Sequence, residues 1–141
     1  WIEKVRKSSG IHLVYTRKKQ IVGLIDAIRR KDVIGFLLDQ NAGKRGTEIP
    51  FFGHPAPTFN GPALLAVRYR FPIIFGYSVR NKDGSYDLII DEMIDPEQFS
   101  GTDRDASVEK CLAYLNLKIE TVIRKNPEQW FWFHRRWGKT I

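Results

Sequence analysis

The sequence has little sulfur and few histidines. A single cysteine, Cys111, excludes an internal disulfide and a cysteine zinc cluster. The three histidines, His12, His54 and His134, do not share metal-ligand spacing, so no metal site is expected. None of them has a carboxylate four or five residues further on. Long apolar runs are missing too. None approaches the roughly 20 residues of a membrane-spanning helix, and no signal peptide is expected. A nucleophile elbow, a Walker loop and a dinucleotide glycine fingerprint are likewise absent. Acidic residues are in deficit, with 16 Asp and Glu against 23 Lys and Arg, for a net charge of +7. A basic surface of this kind favours acidic partners: nucleic acid, anionic lipid or an acidic carrier protein. The chain opens on Trp1 rather than Met and reads as helix from its first residues. It is expected to be a piece of a longer protein.

What is present is enough for one globular domain with its own core, since the chain has 141 residues. Residues Val33 to Gly53 organise it. Six apolar residues, Val33 to Leu38, run without polar alternation, which predicts a strand buried on both faces. Asp39-Gln40-Asn41 ends the run, and a small basic loop, Ala42-Gly43-Lys44-Arg45-Gly46, follows. Polar groups at the carboxyl end of such a strand sit where open α/β sheets hold ligands. Gly43 and Gly46 allow tight or left-handed backbone there. An ordinary strand-to-loop junction with solvated charges is the alternative. The chain turns apolar again at Ile49-Pro50-Phe51-Phe52.

The remaining elements follow from periodicity. Trp1 to Ser9 reads as the end of an amphipathic helix, stopped by Ser8-Ser9-Gly10. Ile11 to Tyr15 is a short strand, with His12 as a core or edge residue. Lys18 to Arg30 is a helix with a basic end. Strand, helix and strand in this rhythm predict a βαβ unit and a mixed, partly parallel sheet flanked by helices. Asn60-Gly61-Pro62 opens a helix, with Asn60 as its cap. Pro72 to Val79 is a second buried strand, adjacent or nearly adjacent to Val33–Leu38. Asn81-Lys82-Asp83-Gly84 is a hairpin turn returning through Tyr86 to Ile90. Asp95 to Arg104 reads as polar loop. A long helix starts at Asp105 or Ser107, with a stripe of Val108, Leu112, Leu115, Ile119 and Val122, and Pro127 limits it. Cys111 lies on that helix as a packing residue.

The closing segment, Trp130-Phe131-Trp132-Phe133-His134-Arg135-Arg136-Trp137, concentrates five aromatics and two arginines in eight residues. Trp rings suit a lipid–water boundary and Arg suits phosphate. The same composition suits single-stranded nucleic acid, or a tail that docks its rings into the core.

Taken together, these stretches resemble the C-terminal half of the bacterial lipid A biosynthesis (lauroyl/myristoyl) acyltransferases, within the lysophospholipid acyltransferase superfamily. The matching pieces are Asp39-Gln40, Ile49-Pro50-Phe51-Phe52-Gly53, Gly61-Pro62-Ala63 with Leu65-Ala66, Pro72, and Asn126-Pro127-Glu128-Gln129 leading into the closing segment. The resemblance implies the C-terminal portion of a single acyltransferase domain over residues 1–141, of the glycerolphosphate-acyltransferase-like fold. It implies acyl transfer from acyl carrier protein or coenzyme A, as co-substrate rather than cofactor, to a hydroxyl of a glycolipid or lysophospholipid. The setting it implies is the cytoplasmic face of the bacterial inner membrane, reached through an amino-terminal membrane segment that this chain does not contain. In the family the general base is a His in an H-x4-D/E motif, and a base within reach is what makes a hydroxyl nucleophilic. No His here fits the motif, so the isolated chain is expected to be inactive. Asp39 matches the acidic position of the third family block, in a supporting role. Gln40 follows it in the same block. Lys44 and Arg45, by charge and position, are expected to meet anionic groups of donor or acceptor. Phe51 and Phe52 line an acyl path or pack the core. Arg135 and Arg136 meet phosphate or fix the C-terminus. The competing class is a non-catalytic basic module binding lipid or nucleic acid.

Overall fold

The computed structural model describes residues 1–11 and 21–138. Helices and strands are mixed, in two compact units, Trp1–Phe36 and Leu37–Ile141. In the first unit, α1 (Ile2–Ser8) stops at a turn where Gly10 takes φ +76°. Helix α2 (Ile21–Arg30) ends on Arg29 and Arg30 as expected, and Arg30 donates to the Asp32 carboxylate at 2.7 and 3.0 Å. Residues 12–15 of the expected first strand, His12 among them, lie outside the described residues, as do residues 18–20 of the expected helix start.

The second unit is built from two hairpins and two helices. Strands β1 (Thr47–Phe51) and β2 (His54–Thr58) pair antiparallel, from Thr47 opposite Thr58 to Phe51 opposite His54. Two residues join them, Phe52 at φ 51° and Gly53 at φ 79°, the twist that suits a tight hairpin. Phe52 is a poor residue for a positive φ. Its N–H donates to the buried Glu120 carboxylate at 2.7 Å, and the Arg124 guanidinium lies 4.6 Å from its ring centroid. In β2, Pro55 and Pro57 occupy the two interior positions whose N–H would point away from β1, as does Pro50 in β1. No backbone donor is left there for another strand.

Helix α3 (Gly61–Tyr69) follows, with Pro62 in its first turn. Asn60 stands at its cap position but makes no capping bond; its amide reaches Thr47 Oγ1 at 3.4 Å. Strands β3 (Ile73–Arg80) and β4 (Tyr86–Ile94) form the second hairpin, closed by Asn81 to Ser85 with Gly84 at φ 88°. The register slips between Phe75 and Gly76, leaving Asp91 as the extra residue of a bulge. Asp95 caps a 3-10 turn, Pro96–Phe99, whose Pro96 and Phe99 are buried. The polar loop expected here thus contributes to the core. Helix α4 (Arg104–Lys125) is capped by Asp103, which accepts from Asp105 N at 2.8 Å and Ala106 N at 3.4 Å. The start expected at Asp105 or Ser107 is therefore corrected by one or more residues, because Asp103 is the side chain placed outside the first turn.

Two expectations are overturned. Val33–Leu38 joins no strand among the described residues; Val33 is 93% exposed, and Leu38 packs against the core. Strand β3 is not buried on both faces either. Its residues alternate, and Ile74 faces outward with Leu88, Ile90 and Met93 of β4. Both described sheets are two-stranded and antiparallel, without the expected parallel pairing. A parallel pair needs a crossover of a dozen or more residues, whereas each strand here meets its partner through a short turn.

Helix α4 is the spine of the unit. Its Val108, Cys111, Leu112 and Leu115 gather Ile49, Ala63, Ile94 and Phe99 into one core. Further along, Ile123 meets Phe51 and Ala56, with Trp130 and Trp137 packed around them. A fully buried Leu contributes roughly 2 kcal/mol. Lys118 ties α4 to the bulge through Asp91 and, at 3.0 Å, Glu92. The Glu92 carboxyl is held below its ordinary range by Lys118 first and by the Tyr114 hydroxyl second. Among the described residues, no helix is long and apolar enough to cross a membrane.

Cys111 is fully buried, and burial pushes its thiol up to about 11. The folded chain should react with a thiol reagent near pH 8 about 100-fold more slowly than the denaturant-unfolded chain, from thiolate fraction alone. Because folding holds this proton, stability should fall as pH rises from about 9 to about 11. A reagent titration with and without denaturant checks the first, and equal rates would place Cys111 at the surface; denaturant melts across the range from about pH 8 to about pH 11 check the second.

Candidate functional site

The loop 39–46 and the closing segment, two of the stretches singled out in the sequence, are in contact. Asn41 makes that contact. Its backbone N–H donates to His134 Nε2 at 2.7 Å. Its side-chain amide donates to the carbonyls of Arg135 at 2.9 Å and Arg136 at 3.1 Å, and its Oδ1 accepts from Gly43 N at 2.6 Å. An accepting Nε2 requires the His134 tautomer with its proton on Nδ1. The loop then rests on the edge of β2, where Ala42 N donates to Pro57 O at 3.0 Å.

Both loop glycines are required, for different reasons. Gly43 has φ +63°, the left-handed region. Gly46 is extended, but a Cβ there would lie 2.9 Å from the backbone of Pro57 and Thr58 and 2.8 Å from Ala42 Cβ. Between them Lys44 and Arg45 occupy a 3-10 turn, Gly43–Arg45, with both side chains exposed.

The two arginines of the closing segment part company. Arg135 is exposed. Arg136 is fully buried, so the phosphate contact expected of the pair is corrected for Arg136. Its Nη1 donates to Pro57 O at 2.8 Å, and its Nη2 to Thr58 Oγ1 at 2.8 Å and Asn116 Oδ1 at 3.5 Å. The guanidinium sits 4.7 Å from the Phe51 ring centroid. Its Nε has no partner among the described residues. Burial lowers its pKa, and the negative charge of Asp39 works against that. Asp39 is half-buried and Gln40 exposed. Phe51 is enclosed by Phe52, Trp130 and Trp137 at ring separations of 5.0 to 5.7 Å, and Trp137 Nε1 donates to its carbonyl at 2.9 Å. It is a core residue and lines neither cleft. Phe52 is half-buried at the hairpin turn.

An open cleft of about 660 Å³ lies along the contact, lined by Asn41, Gly43, Phe131, Phe133, His134 and Arg135. A smaller one of about 370 Å³, beside Arg70, Pro72 and Met93, involves none of the expected site residues. No cluster of three or more His, Cys, Asp or Glu suited to a metal occurs among the described residues. Sequence reasoning missed the parts played by Asn41, Asn116 and Glu120. The last two carried a signal: Asn116 and Glu120 are polar residues set four apart beside the apolar stripe of α4.

The bacterial lipid A biosynthesis acyltransferase family model matches residues 1–139, and the chain belongs to that family. It is 31% identical over 122 residues to the lipid A biosynthesis palmitoleoyltransferase of Escherichia coli (strain K12), covering 84% of this chain and 38% of that protein. Against the lipid A biosynthesis lauroyltransferase of the same organism it is 30% identical over 122 residues, with the same coverage. The chain thus spans 38% of the length of these relatives.

Proposed function

We propose that this chain is the C-terminal portion of an enzyme that moves a fatty acyl chain from acyl carrier protein or coenzyme A to a hydroxyl of a lipid A precursor or a related glycolipid or lysophospholipid. The observation that carries this reading is the family match over residues 1–139, with relatives named for acyl transfer in lipid A biosynthesis. The enzyme works at the cytoplasmic face of the bacterial inner membrane. Its general base is a His of an H-x4-D/E motif in a part of the enzyme other than this chain, so the chain alone is inactive. Asp39 is a positioning residue, two residues before the Asn41 clamp. Gln40, Lys44, Arg45 and Arg135 face the polar and anionic groups of donor and acceptor.

The test compares acyl transfer from an acyl carrier protein thioester by the 141-residue chain and by the longer protein. The chain alone should not turn over. The longer protein should, and Asp39→Asn should slow it about 100-fold, the scale of a misplaced catalytic group, at nearly unchanged Tm. Turnover by the chain alone would remove the claim of an absent base. An inactive longer protein would remove the acyl-transfer reading. Unchanged activity with a lowered Tm would make Asp39 structural.

A further inference from the structure

The aromatics of the closing segment divide into two sets. Trp130 and Trp137 turn inward to Phe51. Phe131, Trp132 and Phe133 turn outward, at 62%, 50% and 92% exposure. Three consecutive exposed rings are costly to leave in water. They are also held in place. The Trp132 indole N–H donates to Pro127 O at 2.6 Å, and the Asn41 clamp fixes the backbone that follows. Phe131 and Phe133 lie 6.1 Å apart and share the cleft with Gly43, the residue before Lys44 and Arg45. Among the described residues no carboxylate forms an ion pair with Lys44, Arg45 or Arg135.

The geometry points to this rim, Phe131, Trp132 and Phe133 with Lys44, Arg45 and Arg135, as a surface that seats on an anionic lipid bilayer. The inference rests on the functional reading above in taking the acceptor to be a membrane lipid. At a bilayer surface, rings enter the headgroup zone while cations meet phosphates, and each contribution needs the other for stable attachment. A single-stranded nucleic acid fits less well. Successive bases stack on roughly parallel rings, whereas the Phe131 and Phe133 rings are tilted by 52° and those of Trp132 and Trp130 by 85°. An acidic carrier protein would engage the cations and leave the three rings in water.

The experiment is sedimentation of the 141-residue chain with phosphatidylcholine vesicles, with and without phosphatidylglycerol, at low and high salt. An oligonucleotide titration and an acyl carrier protein titration run beside it. Binding should require the anionic lipid and weaken with salt. Lys44→Ala with Arg45→Ala and Arg135→Ala should weaken partition roughly 100-fold, and Phe131→Ser with Phe133→Ser at least about tenfold. Circular dichroism and Tm should stay at wild-type values for the serine pair, whose rings are outside both cores. Absence of vesicle binding, equal binding to neutral vesicles, an unaffected serine pair, or tighter binding to oligonucleotide or carrier protein would each overturn the proposal. Failure here is distinct from failure of the acyl-transfer reading. The acyl-transfer reading is scored on the wild-type longer protein with acceptor dispersed in detergent: an active wild type that ignores vesicles would remove the docking surface alone, whereas an inactive wild type that binds vesicles would remove the enzyme reading and leave the docking surface.

Discussion

Arg136→Ala should be among the most damaging single changes in this chain, lowering stability by about 3–5 kcal/mol and Tm by roughly 10–20 °C. The guanidinium is fully buried and joins three elements: Pro57 and Thr58 of β2, Asn116 of α4, and the closing segment that carries it. Truncation removes those bonds, leaves Asn116 Oδ1 without its donor, and opens a cavity against the Phe51 ring. Two further variants separate the contributions. Arg136→Lys keeps the charge but loses the planar fork, and should recover less than half of the loss. Arg136→Met fills the volume without the cost of burying a charge, and should fall between Lys and wild type. Thermal and denaturant melts measure all three. A shift below about 3 °C for Arg136→Ala would show that the guanidinium is not a structural centre.

Phe51→Ala should cost a similar amount, about 3–5 kcal/mol, because the ring is the fully buried centre of the second core. Its neighbours are Phe52, Trp130 and Trp137, with the Arg136 cation over its face. The loss should appear as a lower Tm and as a red shift of tryptophan fluorescence, since Trp130 and Trp137 gain water. Phe51→Leu, which conserves most of the volume, should cost less than about 1.5 kcal/mol. This pair also decides between packing and an acyl path. A change in acyl-chain preference by the longer protein carrying Phe51→Leu, without loss of stability, would restore the path.

The parts of the fold legible in the sequence are those set by local chemistry. The α4 stripe, the Asp83-Gly84 hairpin, the basic end of α2 and Pro62 in the first turn of α3 each follow from a few neighbouring residues. What local chemistry cannot supply is the partner of a strand. Val33–Leu38 has the composition of a central strand, but composition does not specify what lies beside it, and here no strand does among the described residues. Strand β3 has an unbroken apolar run, yet one face is outward, because apolar content reports what a residue tolerates rather than what covers it. The candidate site was half legible. The loop 39–46 and the closing segment stand out in the sequence, some 90 residues apart. Their meeting is written in a single side chain, Asn41, whose donors fit carbonyls that only the folded chain brings near. The buried state of Arg136 could not be read beside exposed Arg135, since two adjacent arginines look alike until the backbone turns one inward.

The prolines of the first hairpin also bear on how copies of this chain meet. With Pro55 and Pro57 along the free edge of β2 and the loop at Ala42 laid over it, that edge does not accept an added strand. The second hairpin is guarded differently: the Gln129 amide pairs with both the N–H and the carbonyl of Arg80 on the edge of β3, and the bulge at Asp91 interrupts β4. Strands β3 and β4 contain no proline, have no third strand beside them among the described residues, and turn Ile74, Leu88, Ile90 and Met93 outward. If this chain self-associates in concentrated solution, light scattering should show the association falling when Leu88 and Ile90 are replaced by Ser, and unchanged by substitutions at the exposed face of the β1–β2 hairpin.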